Sequence, residues 1–316
     1  MARAGAPIVP KVWDEQELIT HAQRSMDIFI ARRLAEPETR YRTLVGEAMQ
    51  SVQALLRELK TIDSKKPDPT TVRRIMASKR LNAALRYVAG PPISSDDLGV
   101  LVTRRMSRVT GRALRADGET TANVLGLICR LADPVRFPWL REQRRPRLHE
   151  LKWAIRSTAV LLAAQGMQTE RRAFGREVEH VLRERLLIGG FEKVAAPNGG
   201  RIESPSEMPR PMRFYGECGV HGRRTDLLIG LSDGRHVAVE AKDSSSVVNS
   251  VKRVLNDTAA KARFWKDKFG ETLVPVALLS GVFAPDNLRA AQRSGLFLVF
   301  AHDLDDFVTW LGSPRR

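Results

Sequence analysis

The sequence predicts an α/β fold preceded by an all-helical part. Three observations carry this expectation. Apolar residues recur at helical spacing through the first half of the chain. After about residue 168, short apolar runs alternate with helical segments, the pattern of an α/β layer. The 316 residues are 43% apolar and 28% charged, a globular balance with length for one large domain or two of ordinary size.

The elements follow in order. Leu18, Ile19, Ala22, Met26, Phe29 and Ile30 place a helix over 15–34, and Leu44, Ala48, Val52, Leu55 and Leu56 a second over 39–59. Lys65-Lys66-Pro67-Asp68-Pro69 breaks the pattern, and Thr70 or Thr71 is expected to cap a helix running to Val88. Gly90-Pro91-Pro92 ends it, and Ser94 or Ser95 caps the next, toward Leu114. Helices over 120–131, 148–165 and 169–187 are expected, and Trp139, Trp153 and Trp310 read as core. Beyond Gly189-Gly190 the reading gives a strand at 191–195, a loop over 197–211, and strands at 223–231 and 235–242. A helix over 247–269, a strand at 273–279, a helix opened by Pro285, a strand at 296–301 and a helix over 303–311 complete it. The domain boundary is set at 150/151, giving a helical domain 1–150 and a second domain 151–316.

The net charge of +16 favours a polyanionic partner, since each phosphate met by Lys or Arg releases a counterion. The excess is densest over 101–150, where all 11 basic residues are arginine, among them the stripe Arg104, Arg105, Arg108, Arg112 and Arg115. No apolar run approaches the ~20 residues of a membrane helix. The opening residues carry no apolar signal core, and two cysteines, Cys129 and Cys218, form no disulfide framework. Together these point to a cytoplasmic, non-membrane protein. Cys218 and His221 have ligand-like spacing but no second pair for zinc, and no Gly-Lys-Ser/Thr phosphate loop is present.

Chemistry concentrates in the two central strands. With Ser232-Asp233-Gly234 as the turn, Leu231 pairs with Arg235, and counting back sets Asp226 across from Glu240. Opposed side chains share one face with Cβ atoms about 5 Å apart. Period two adds Lys242 to that face, while Val237, Val239 and Ala241 take the other. Two such carboxylates repel unless a cation lies between them, and Mg²⁺ prefers hard oxygen ligands from one or two carboxylates plus a phosphate. A lysine beside them can orient or deprotonate water, or stabilise charge on a phosphate.

Asp226, thirteen intervening residues and Glu240-Ala241-Lys242 resemble the motif of the PD-(D/E)xK nuclease superfamily, with Thr225 where that motif often has proline. The helix bearing Phe174 to Leu182 resembles the first core helix of that fold, so Glu179, or else Glu177, is expected to join the site. Asp243 to Arg253, Leu279-Ser280-Gly281-Val282-Phe283 and Ala301-His302-Asp303-Leu304 look like type II restriction endonucleases of the XamI-like kind. The resemblance covers roughly residues 170–311. It implies a restriction-endonuclease-like core, a mixed α+β sheet flanked by helices, and Mg²⁺ on Asp226, Glu240 and the Ala241 carbonyl. It implies a homodimer cutting both strands of a specific DNA duplex, in a host with a cognate methyltransferase. DNA contacts are expected from Ser244, Ser245, Ser246, Asn249, Ser250, Lys252 and Arg253, where a capped helix N-terminus meets groove-reading side chains, and from Arg104, Arg105 and Arg108, with the helical domain clamping the backbone. The competing expectations are a repair or junction-resolving nuclease on the same core, and a non-catalytic DNA-binding regulator.

Overall fold

The structure, a computed structural model, describes residues 10–60, 68–104, 118–246 and 257–313. It packs as two units. One joins Met1–Leu34 to Arg172–Arg316, and the other is Ala35–Arg171. The sequence expectation is a single boundary at 150/151. The N-terminal helix departs from that division because its apolar face is buried among α/β residues. Trp13, Leu18 and Ala22 share a core with Leu279, Phe283, Leu288, Leu298 and Phe300. Trp13 Nε1 donates to the Leu298 carbonyl at 2.8 Å, and the Ser25 hydroxyl both donates to Gly281 O (2.8 Å) and accepts from Gly281 N (3.0 Å).

The Ala35–Arg171 unit is helical. After α1 (Glu15–Ala35) of the other unit, it contains α2 (Arg42–Lys60), α3 (Pro69–Ala77), α4 (Lys79–Arg86), α5 (Ser95–Thr103) and α6 (Gly118–Leu131). Val52, Leu55, Ile75, Leu85, Leu98, Ile128 and Phe137 form its core. The expected 70–88 helix is two. Asp68, not a threonine, caps α3 by accepting from Thr70 N and Thr71 N, and Ser78 ends α3 and caps α4. Ser94 caps α5 with Asp97 in a reciprocal capping box. Helix α5 stops at Thr103, short of the expected extension to Leu114, because Arg104 takes a left-handed φ of 53°. Residues 105–117 lie outside the described ones. The expected helices 148–165 and 169–187 are one 41-residue helix, α7 (Leu148–Ile188); Gly166 and the polar run after it do not interrupt the hydrogen-bond ladder. Trp139 is core, whereas Trp153 is 57% exposed and is not.

The larger α/β part holds a six-stranded mixed sheet ordered β1 (Glu192–Lys193), β3 (Arg213–Tyr215), β6 (Leu227–Gly230), β7 (His236–Ser244), β8 (Leu273–Gly281) and β9 (Phe297–Phe300). β3, β6 and β7 are antiparallel neighbours; β7, β8 and β9 run parallel. A smaller sheet of β2 (Arg201–Ile202), β4 (Cys218–Val220) and β5 (Arg223–Thr225) arises partly inside the expected 197–211 loop. On one face of the large sheet, Val237 and Val239 pack on Val178, Leu182 and Leu186 of α7 and on α10 (Leu304–Gly312). On the other, Ala238 meets Trp265 of α8 (Ala259–Phe269), while Ala277 and Leu279 meet α1 and α9 (Pro285–Arg293). Both faces of β7 and β8 are covered, as parallel strands require.

Candidate active site

The site is built from the β6–β7 hairpin. Leu227↔Val239 through Gly230↔His236 are paired, and Leu231 N donates to Arg235 O at 2.8 Å. Ser232-Asp233-Gly234 is therefore the connecting turn, with Gly234 supplying the φ of 84° that L-residues resist. Asp226 is the next position outward; it lies outside the paired register, and its N–H donates to Val239 O at 3.0 Å.

The expected strand 223–231 differs in one respect: it is broken at Asp226. β5 turns away into the smaller sheet and β6 stays in the larger. Thr225 makes the break. It is fully buried, and its hydroxyl lies 3.0 Å from Leu227 O and 2.9 Å from Val239 O. A hydroxyl that bonds its own backbone competes with the ladder, much as proline interrupts a strand by lacking the donor. Asp226 thus occupies a corner between two sheets, and its Oδ2 reaches across to accept from Ala241 N at 2.7 Å.

Glu240 is only 3% exposed, and both its oxygens are engaged. Oε2 accepts from Lys242 Nζ at 2.8 Å and Oε1 from Lys261 Nζ at 2.6 Å. Asp226, Glu240 and Lys242 therefore converge. Burial raises the Asp226 carboxyl above its ordinary range, and the Glu240 charge raises it further; the Ala241 N–H and both lysines oppose this. Glu179 on α7 is likewise raised, first by burial, with Arg183 opposing and the Asp226 charge adding to it. It pairs with Arg183 one turn on. Glu177 is exposed, so of the two acids on this helix the structure brings Glu179 toward Asp226.

Lys261 escaped the sequence reading. It lies on the polar side of a helix whose apolar positions were the informative ones, and only the docking of α8 on the sheet brings it to Glu240. Its Nζ also donates to Arg224 O at 2.8 Å, joining β5, β7 and α8 at one point.

The oxygens of Asp226 and Glu240 suit a hard divalent cation, and their mutual repulsion is what such a cation would relieve. Among the described residues no cluster of three or more His, Cys, Asp or Glu is gathered for metal binding. Of the expected DNA contacts, Ser244 is buried, with its hydroxyl on Ser246 O at 2.8 Å, because β7 extends through it beside Gly281 of β8. It offers no exposed hydroxyl. Ser245 is exposed and Ser246 half-buried. Arg104 is exposed at the end of α5. Asn249, Ser250, Lys252, Arg253, Arg105 and Arg108 lie outside the described residues, as does the first half of the expected 247–269 helix.

A mixed sheet flanked by helices, with this constellation where its central hairpin breaks, fits the restriction-endonuclease-like class of nucleases. The model of the XamI restriction endonuclease family matches residues 65–300. The type II restriction enzyme XamI of Xanthomonas campestris pv. amaranthicola is 34% identical over 268 residues, which cover 84% of this chain and 94% of that protein. The chain belongs to the XamI restriction endonuclease family, and so to the type II, site-specific deoxyribonucleases. Such enzymes typically need a divalent metal, and their partner is double-stranded DNA. No solved structure matches the chain. Among the described residues no helix is long and apolar enough to cross a membrane.

Proposed function

We propose that the chain hydrolyses DNA with Mg²⁺ held by Asp226, Glu240 and the backbone carbonyl of Ala241, and with Lys242 as the residue that handles the attacking water. The observation that carries this is the convergence of Asp226, Glu240 and Lys242 at the corner where β5 and β6 part, with Glu240 buried and Asp226 and Lys242 half-buried. Bound there, Mg²⁺ would supply positive charge to the phosphate and lower the pKa of a coordinated water. The protein supplies the rest. The Asp226–Ala241 hydrogen bond fixes one carboxylate in orientation. The ammonium of Lys242 stands within hydrogen-bond reach of Glu240, where it can orient a water and offset charge on the transferred phosphoryl oxygens. Glu179 is a third acid at the edge of the site.

The Ala35–Arg171 unit, richest in arginine, is proposed to clamp the duplex backbone with Arg104, Arg105 and Arg108. The segment after β7, with Ser245, Ser246, Asn249, Ser250, Lys252 and Arg253, is proposed to approach the bases and phosphates. The working form is proposed to be a cytoplasmic homodimer, whose host carries a methyltransferase protecting the same site. Incubation of one unmethylated plasmid with the protein, with and without Mg²⁺, tests the reading. Discrete bands only with Mg²⁺ are expected; a smear, structure-dependent nicking, or cutting in EDTA contradicts it.

A further inference from the structure

The motif explains one lysine at Glu240; the structure has two. Lys261 comes from α8, a different element from the strand that bears the motif, yet its Nζ makes the shorter of the two contacts, 2.6 Å against 2.8 Å for Lys242. The group of charges is closed on itself. Asp226 and Glu240 are two negative charges, Lys242 and Lys261 two positive ones, and no oxygen of Glu240 is left without an ammonium. Glu240 is 3% exposed, and the lysine side chains are 18% and 23% exposed, so water screens the arrangement weakly. A divalent cation entering this neutral group must displace an ammonium from Glu240 or leave a surplus of two positive charges in a poorly hydrated space.

We propose that Lys261 is a resident counter-ion that competes with the divalent metal for Glu240 and weakens metal binding in the DNA-free protein. It is a positioning residue: it acts on Glu240, and through its second bond, to Arg224 O at 2.8 Å, it has a place to remain when Glu240 turns to a metal. A phosphate brings the negative charge that makes metal and lysine compatible, so the metal site closes properly only on DNA. The inference rests on the proposed metal site at Asp226 and Glu240.

A purely structural role and the counter-ion role predict opposite signs. If Lys261 merely props up Glu240, removing it loosens the site and weakens metal binding. If it competes, removing its charge strengthens binding. The experiment is a Mn²⁺ titration of the full-length, DNA-free protein, with free Mn²⁺ read by its electron spin resonance signal. Lys261→Met is expected to bind about tenfold more tightly than wild type, within the usual range of site-to-site coupling. Lys261→Gln, which keeps a donor for Arg224 O without the charge, should tighten likewise should the Met variant fold poorly. Lys261→Arg, which keeps the charge, should stay within about twofold of wild type. Glu240→Gln should remove the site. Wild-type binding that neither uncharged variant strengthens overturns the counter-ion role alone. No Glu240-dependent Mn²⁺ binding in any variant overturns both this inference and the metal site beneath it.

Discussion

Two substitutions that both end cleavage should move stability in opposite directions. Glu240→Gln keeps the shape of a buried side chain but deprives Lys242 and Lys261 of the carboxylate each contacts, at 2.8 and 2.6 Å, and turns an amide N–H₂ toward one of them. Removing one partner of a buried ion pair costs about 3–5 kcal/mol. The lysine heads are about one-fifth exposed and can turn to water, which lowers the expected loss to roughly 2–3 kcal/mol. Asp226→Asn is the reverse case. Its side-chain oxygen still accepts from Ala241 N, while the charge that burial and Glu240 both disfavour is gone. The sign follows from linkage: a carboxyl raised in the folded state binds more protons there than in the unfolded chain, so its ionisation opposes folding as pH rises. That penalty is absent below the ordinary value of 3.8 and grows as pH rises through the raised folded-state value. Thermal unfolding in EDTA at neutral pH should show Glu240→Gln melting about 4–12 °C below wild type, at ~2–4 °C per kcal/mol. Asp226→Asn should melt at or above wild type, with its advantage vanishing toward pH 4. An Asp226→Asn variant clearly less stable than wild type, or a Glu240→Gln variant as stable, refutes the electrostatic account.

Other expectations follow from single positions. Gly281→Ala places a Cβ 2.1 Å from the Ser244 carbonyl at a φ of +97°, so soluble yield and melting temperature should both fall sharply, by more than about 2 kcal/mol in stability. Arg136, 6% exposed, serves Asp133, Thr158 and the carbonyls of Tyr87 and Ala89; Arg136→Lys cannot reach all four and should cost about 2–4 kcal/mol in a urea titration. Cys218 is buried, and burial pushes its thiol up to about 12, so iodoacetamide at pH 8 should leave it unmodified in native protein and label it in urea.

Register made much of the site legible. A three-residue turn with a glycine, flanked by alternating apolar residues, sets Leu231 against Arg235 and the β6–β7 register before any coordinates exist, and strand period two puts Glu240 and Lys242 on one face. What the sequence concealed depends on tertiary contact. Nothing local says that Thr225 turns β5 out of the sheet, because its hydroxyl has no special partner until β7 supplies the Val239 carbonyl. Lys261 looks like any solvated helix residue until α8 docks. Helix α1 reads as part of a helical domain because its periodicity gives its apolar face and not what covers it; its partners, Leu298 and Phe300, lie at the far end of the chain. Ser244 reads as a helix cap and is instead the last residue of a long buried strand.

The central claim is that Asp226, Glu240 and Lys242 perform cleavage. The most direct test is the single-turnover cutting rate of a plasmid in Mg²⁺ by Lys242→Ala, with binding to the same DNA measured in Ca²⁺. The account predicts binding within a few-fold of wild type and cutting slower by about 10²–10³ or more, the loss typical of removing one group that acts in the transition state. Cutting within tenfold of wild type would contradict it.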